Sequence, residues 1–190
     1  MREFQKILDR NEKVLWEGKP KFFPYVLRGI VLSLFGLFFM IVAGFIQYKL
    51  ITQGNWYALF IPHFWVGLAM LLWFPIYNSL NYKYVYYVIT NKRVIFQQGI
   101  IGRDFGAFDF DQVTDLEVNI GVWDKLVGRD SGTIIITAQR YCSMYNIPHP
   151  YEVFKFFKGV SYNIKTDINY PNKYRPQVNP GYNTEYKPRK

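Results

Sequence analysis

Two long stretches without a charged residue lie in the first half of the chain, and they limit what it can fold into. Residues 29–46 read GIVLSLFGLFFMIVAGFI, eighteen residues with no charge. As a helix this run measures about 27 Å, close to the ~30 Å hydrocarbon core of a bilayer. Residues 56–77 form a second run of roughly 33 Å. Trp56, Tyr57, Trp73 and Tyr77 stand near its ends, as an aromatic belt would, and Pro62 and Pro75 lie toward its ends. Tyr25 and Tyr48 flank the first run, and Arg28 can snorkel to headgroups. Helices of soluble proteins seldom run this far without charge. The two runs, joined by residues 47–55, therefore read as a transmembrane helical hairpin within residues 26–77.

Charge orients the hairpin. Seven Lys/Arg precede the first run, Lys49 alone lies in the connector, and Lys83, Lys92 and Arg93 soon follow the second. The positive-inside rule then predicts a multi-pass protein of the cell membrane with both termini cytoplasmic. The net charge of +9 is unevenly spread. Residues 78–168 hold ten basic and nine acidic side chains, whereas the tail from residue 169 holds five basic residues against Glu185. Cys142 is the only cysteine, which excludes an intrachain disulfide.

After the second run the pattern changes to short strands. Residues 84–90 (YVYYVIT) and 93–98 (RVIFQQ) are β-branched and aromatic, with a tight turn at Asn91-Lys92. Phe108, Phe110, Leu116 and Val118 alternate with Asp109, Asp111, Asp115 and Glu117, the period of half-buried strands. A looser stretch, 121–132, leads to the strong strand TIIITA at 133–138. Pro148 and Pro150 open a helix over about 151–165 with Val153, Phe156, Phe157 and Val160 on one face. Strands in succession closed by one amphipathic helix predict an α+β domain or a small capped barrel.

Several motifs in this region carry a resemblance. Thr90-Asn91-Lys92-Arg93 precedes an apolar strand closed by Gly99. Phe110-Asp111-Gln112-Val113-Thr114-Asp115-Leu116 follows, and Lys125-Leu126-Val127-Gly128 leads to Gly132-Thr133-Ile134. With the N-terminal Glu12-Lys13-Val14-Leu15-Trp16-Glu17-Gly18, these resemble the bacterial and archaeal pleckstrin-homology-like membrane protein family, of the YdbS-like or bPH2 kind. The likeness covers roughly residues 10–165. It implies a PH-like bent antiparallel β-sheet or barrel capped by a C-terminal helix. Arg129-Asp130-Ser131 stands where such proteins usually carry a glycine-containing run. The predicted organisation is a cytoplasmic N-terminal segment (1–25), the hairpin (26–77), a cytoplasmic PH-like domain (78–168) and a disordered basic tail (169–190).

No catalytic constellation stands out, so an enzyme is not expected. His63 lies in the second apolar run near its start, and His149 sits between prolines, with no spacing that builds a triad. Asp109, Asp111, Asp115 and Glu117 lack calcium-loop spacing and read as a solvent face. Gly99, Gly102 and Gly106 lack a nucleotide-binding fingerprint, and neither metal nor cofactor is called for. The cationic candidates for lipid headgroup contact are Lys92, Arg93, Arg103, Lys125 and Arg129. In the tail, Lys173, Arg175, Lys187, Arg189 and Lys190 are candidate contacts with an anionic leaflet. A chain with an anchor and no reactive cluster reads as a non-enzymatic membrane-anchored interaction or scaffold module. Its partners would be the bilayer, another membrane protein or further copies of itself, with no specific nucleic acid. Anionic-lipid binding by the PH-like domain, or a place in a pore or transporter assembly, are the alternatives. A small-residue row at Gly29, Ser33 and Gly36 offers close helix packing to the last of these.

Overall fold

A computed structural model describes residues 2–102, 104–128, 130–138 and 141–169. Among these the chain is α+β: two long apolar helices, two antiparallel sheets and a C-terminal helix, with no closed barrel. It divides into two units. One comprises the described residues up to Pro24 and from Lys83 onward, and the other is Tyr25–Tyr82.

The second unit is an antiparallel helical hairpin. A short helix, α1 (Phe22–Val26), and a 3-10 turn lead into α2 (Ile30–Thr52), and α3 (Pro62–Tyr82) returns. The two apolar stretches, Phe22–Thr52 and Trp56–Tyr82, are long and apolar enough to cross a membrane. Helix α2 continues past the apolar run because residues 47–52 (QYKLIT) present no helix breaker. It stops where Gly54 takes a φ of +85°, a left-handed conformation that glycine adopts without a Cβ clash. Ile61 is extended, as a residue before proline prefers, and Pro62 starts α3. Helix α3 runs through Pro75 and continues to Tyr82, five residues beyond the apolar run.

Close approach, not apolar burial alone, holds the hairpin. A Cβ built on Gly36 would lie 2.6 Å from the Leu71 amide nitrogen and 2.8 Å from the Gly67 carbonyl oxygen. One on Gly67 would lie 2.7 Å from the Met40 nitrogen. The small-residue row is therefore used within the hairpin: Ser33, Gly36, Ala43 and Gln47 are the buried residues of α2. At the open end, Asn81 Nδ2 donates to Tyr25 Oη at 3.0 Å, a buried polar clasp.

The first unit holds seven strands in two sheets. β1 (Val14–Gly18), β2 (Tyr86–Thr90), β3 (Arg93–Gln98) and β4 (Asp104–Asp109) form one, in that order. β5 (Asp115–Asn119), β6 (Ser131–Thr137) and β7 (Tyr141–Pro148) form the other. All pairings are antiparallel. The entire hairpin lies in the chain between β1 and β2, two strands that pair directly, Gly18 opposite Tyr87.

β2 is buried at every position and β3 from Val94 to Gln97, so neither shows the alternation of a half-buried strand. One face of the sheet, with Tyr86, Val88 and Ile95, is closed by Phe4, whose side chain is 1% exposed. Helix α5 (Pro150–Asn169) buries Val153, Phe157, Val160 and Ile164, an i, i+4, i+7, i+11 stripe, and Phe157 meets Phe110 at 5.5 Å between centroids. Phe156, expected on that stripe, is only half-buried. Strand β7 escapes the sequence pattern because Cys142, Ser143 and Asn146 interrupt its alternation and Asn146 has a positive φ.

Candidate functional site

The Thr90-Asn91-Lys92-Arg93 turn is a lock for the N-terminal segment. Thr90 Oγ1 accepts from the backbone amides of Lys92 and Arg93, at 3.1 and 3.0 Å, which fixes the turn. Asn91 Oδ1 accepts from the Lys13 amide at 2.8 Å, and the Asn91 amide donates to the Lys13 carbonyl. Arg93 donates through Nε and Nη2 to the two oxygens of Glu12, at 3.1 and 3.0 Å, and through Nη2 to the Ile7 carbonyl at 2.8 Å. The Glu12 side chain is fully buried. Burial alone would lower the Arg93 pKa, but the hydrogen bonds and charge of Glu12, with Asp9 and Asp109 nearby, hold it above its ordinary value. Lys92 Nζ lies 3.7 Å from Asp9 and donates to the Arg10 carbonyl. So the two cations of this turn are engaged by acids and carbonyls of residues 7–12.

A second turn is built the same way. Helix α4 (Val122–Leu126) carries Lys125, which is exposed, beside the buried Asp124. Asp124 Oδ1 accepts from Ser131 Oγ at 2.5 Å and from Asn146 Nδ2 at 2.9 Å, and Oδ2 accepts from the Gly121 amide at 3.0 Å. Lys21 completes the knot, donating from Nζ to the Gly128 carbonyl and from its amide to the Asn146 carbonyl. The polar Ser131 thus has a partner that only the fold supplies.

Arg103, Arg129 and the tail cations Lys173, Arg175, Lys187, Arg189 and Lys190 lie outside the described residues. His63 is exposed on the first turn of α3. His149 Nδ1 lies 2.5 Å from Asp130 Oδ2, and both side chains are more than half exposed. Among the described residues no three of His, Cys, Asp or Glu converge as a metal site would require.

The feature that sequence reasoning missed is a groove of about 550 Å³ between the start of β5 and the outer face of α5. Helix α5 contributes Phe154, Lys155, Lys158, Tyr162 and Lys165, and the strand side is residues 113–116. Lys155, Lys158, Tyr162 and Lys165 follow i, i+3, i+7, i+10 spacing, a polar stripe on the face opposite the buried one. That stripe is visible in the sequence, but only the topology makes it one wall of a groove. Asp115 is the single acid there, so the lining carries three positive charges against one negative.

A family model described as a bacterial PH domain matches residues 29–159, from the start of the first apolar helix to the middle of α5. No curated protein matches the chain.

Proposed function

The chain belongs to the bacterial PH-domain family, and from that premise we propose that it is a non-enzymatic interaction module anchored in the membrane on its cytoplasmic side. The observation that carries this reading is the place of the hairpin in the chain. It leaves from β1 and returns into β2, and those strands pair. Two antiparallel apolar helices inserted there tie the β domain to a bilayer at both ends of the excursion, and both ends emerge on one side. The excess of Lys/Arg before the first helix, against Lys49 alone in the connector, selects the cytoplasm as that side. The β domain then presents outer strands and the exposed face of α5 to partners. Alkaline carbonate extraction of membranes from expressing cells tests the anchor. The protein is expected in the pellet, and release into the supernatant would overturn the reading.

One observation favours a second reading, contact with anionic headgroups. Helix α4 exposes Val122 and Leu126, at 68% and 69%, beside Lys125, a pairing of apolar and cationic groups suited to an interface. Protection of this helix from hydrogen exchange in phosphatidylglycerol nanodiscs, but not in phosphatidylcholine ones, would support it, and equal exchange in both would reject it.

A further inference from the structure

We propose that the groove between β5 and α5 binds an extended peptide segment bearing carboxylates, which adds to the free edge of β5 as a further strand. This rests on the reading of the chain as an interaction module and names the site and the chemistry of what it takes.

Four consecutive residues, Val113, Thr114, Asp115 and Leu116, border the groove. Asp115 and Leu116 open β5 and Val113 and Thr114 lead into it, so the groove meets the start of that strand. β5 is an outer strand: β6 pairs with it on one side, and no strand among the described residues pairs with the other. Its burial alternates between exposed and half-buried, and no position in it is buried.

Two backbone groups at this border are met by side chains. The Val113 carbonyl accepts from Lys165 Nζ at 2.6 Å, and the Leu116 amide donates to the Asp115 carboxylate at 2.8 Å. The Lys165 bond thus ties α5 to the residues that lead into β5.

Charge selects the occupant. Lys155 and Lys158 are exposed, lie one helical turn apart, and face the groove with Lys165. Against Asp115 alone they leave a net positive wall, which favours carboxylates at the outward positions of an added strand. Leu116, Phe154 and Tyr162 supply apolar surface for the side chains between them. The chain's own tail is unsuited, because residues 169–190 carry five basic residues against Glu185.

The test uses the full chain in phosphatidylcholine nanodiscs. The probes are fluorescent ten-residue peptides that alternate threonine or valine with a charged residue, in a glutamate series and a lysine series. The expected result is saturable binding of the glutamate series, with the lysine series at least tenfold weaker. Lys155→Glu/Lys158→Glu, which alters two exposed side chains, is expected to reverse that preference, a gain of binding that misfolding cannot mimic. Dioctanoyl-phosphatidylglycerol is the competing ligand. Binding of that lipid at these lysines with no peptide binding would assign the groove to a headgroup and overturn the proposal. No peptide binding, or binding indifferent to the charge reversal, would overturn it too. Neither failure touches the membrane anchor, which carbonate extraction reads separately.

Discussion

Arg93 grips Glu12 with two parallel hydrogen bonds across 81 residues of sequence that include the whole apolar hairpin. Glu12 is fully buried and Arg93 is 14% exposed, so neither charge has much water to fall back on. The pair joins the segment before the hairpin to the strand pair after it.

Removing one partner should be costly. Glu12→Ala removes the carboxylate that takes two hydrogen bonds from the guanidinium, and leaves Thr90 Oγ1 with the Arg93 carbonyl as its acceptor. A loss of about 3 kcal/mol is expected in reversible unfolding in detergent, since a largely buried cation keeps only the more distant, half-exposed Asp9 as a counter-charge. The double variant Glu12→Gln/Arg93→Gln should lose less than the sum of its two single variants, because those side chains share one interaction. Strict additivity would show that the contact does not couple them.

The hairpin makes a sharper distinction between glycines. Gly36→Ala forces a methyl group to 2.6 Å from the Leu71 nitrogen, so the helix backbones must separate. Overpacking of this kind costs on the order of 1–3 kcal/mol. Gly44→Ala places its methyl 3.5 Å from the Phe64 ring, an ordinary contact, and should be nearly neutral. Thermal stability in detergent micelles checks the contrast, and equal effects at the two positions would contradict the close packing at Gly36.

The β domain should survive without its hairpin but not without its N-terminal segment. A chain of residues 83–169 alone lacks β1, Phe4 and Glu12, and is expected to be insoluble. Phe4 alone fills a site where truncation to alanine costs about 3–5 kcal/mol. Residues 2–21 joined to 83–169 through a flexible linker restore all three and should give a soluble protein with a cooperative thermal transition. A stable fold from 83–169 alone would show that the N-terminal segment is an accessory.

Period and length made much of this fold legible. The apolar helices, the hairpin of β2 and β3, strand β6 and helix α5 all announce themselves through uncharged length, β-branched runs or an amphipathic stripe. β1 is short, and a bulge between Val14 and Trp16 breaks its register. β7 is broken by polar residues whose partners are tertiary, Asn146 on Asp124 above all. The same limit applies to the sites. Lys92 and Arg93 read as a cationic pair because Asp9 and Glu12 lie some 80 residues away and nothing local places them there. Lys155, Lys158 and Lys165 carry no such signal, because the strand beside them is known only once the sheet order is.

The most direct test of the account asks on which side of the bilayer each part of the chain lies. In a Cys142→Ser background, Lys6→Cys, Lys49→Cys and Lys155→Cys each replace an exposed side chain with a thiol. A membrane-impermeant maleimide should label Lys49→Cys in intact cells, and Lys6→Cys and Lys155→Cys only in inside-out vesicles. Labelling Lys6→Cys and Lys155→Cys from opposite sides would contradict the hairpin, and labelling both in intact cells would contradict the cytoplasmic placement of the domain.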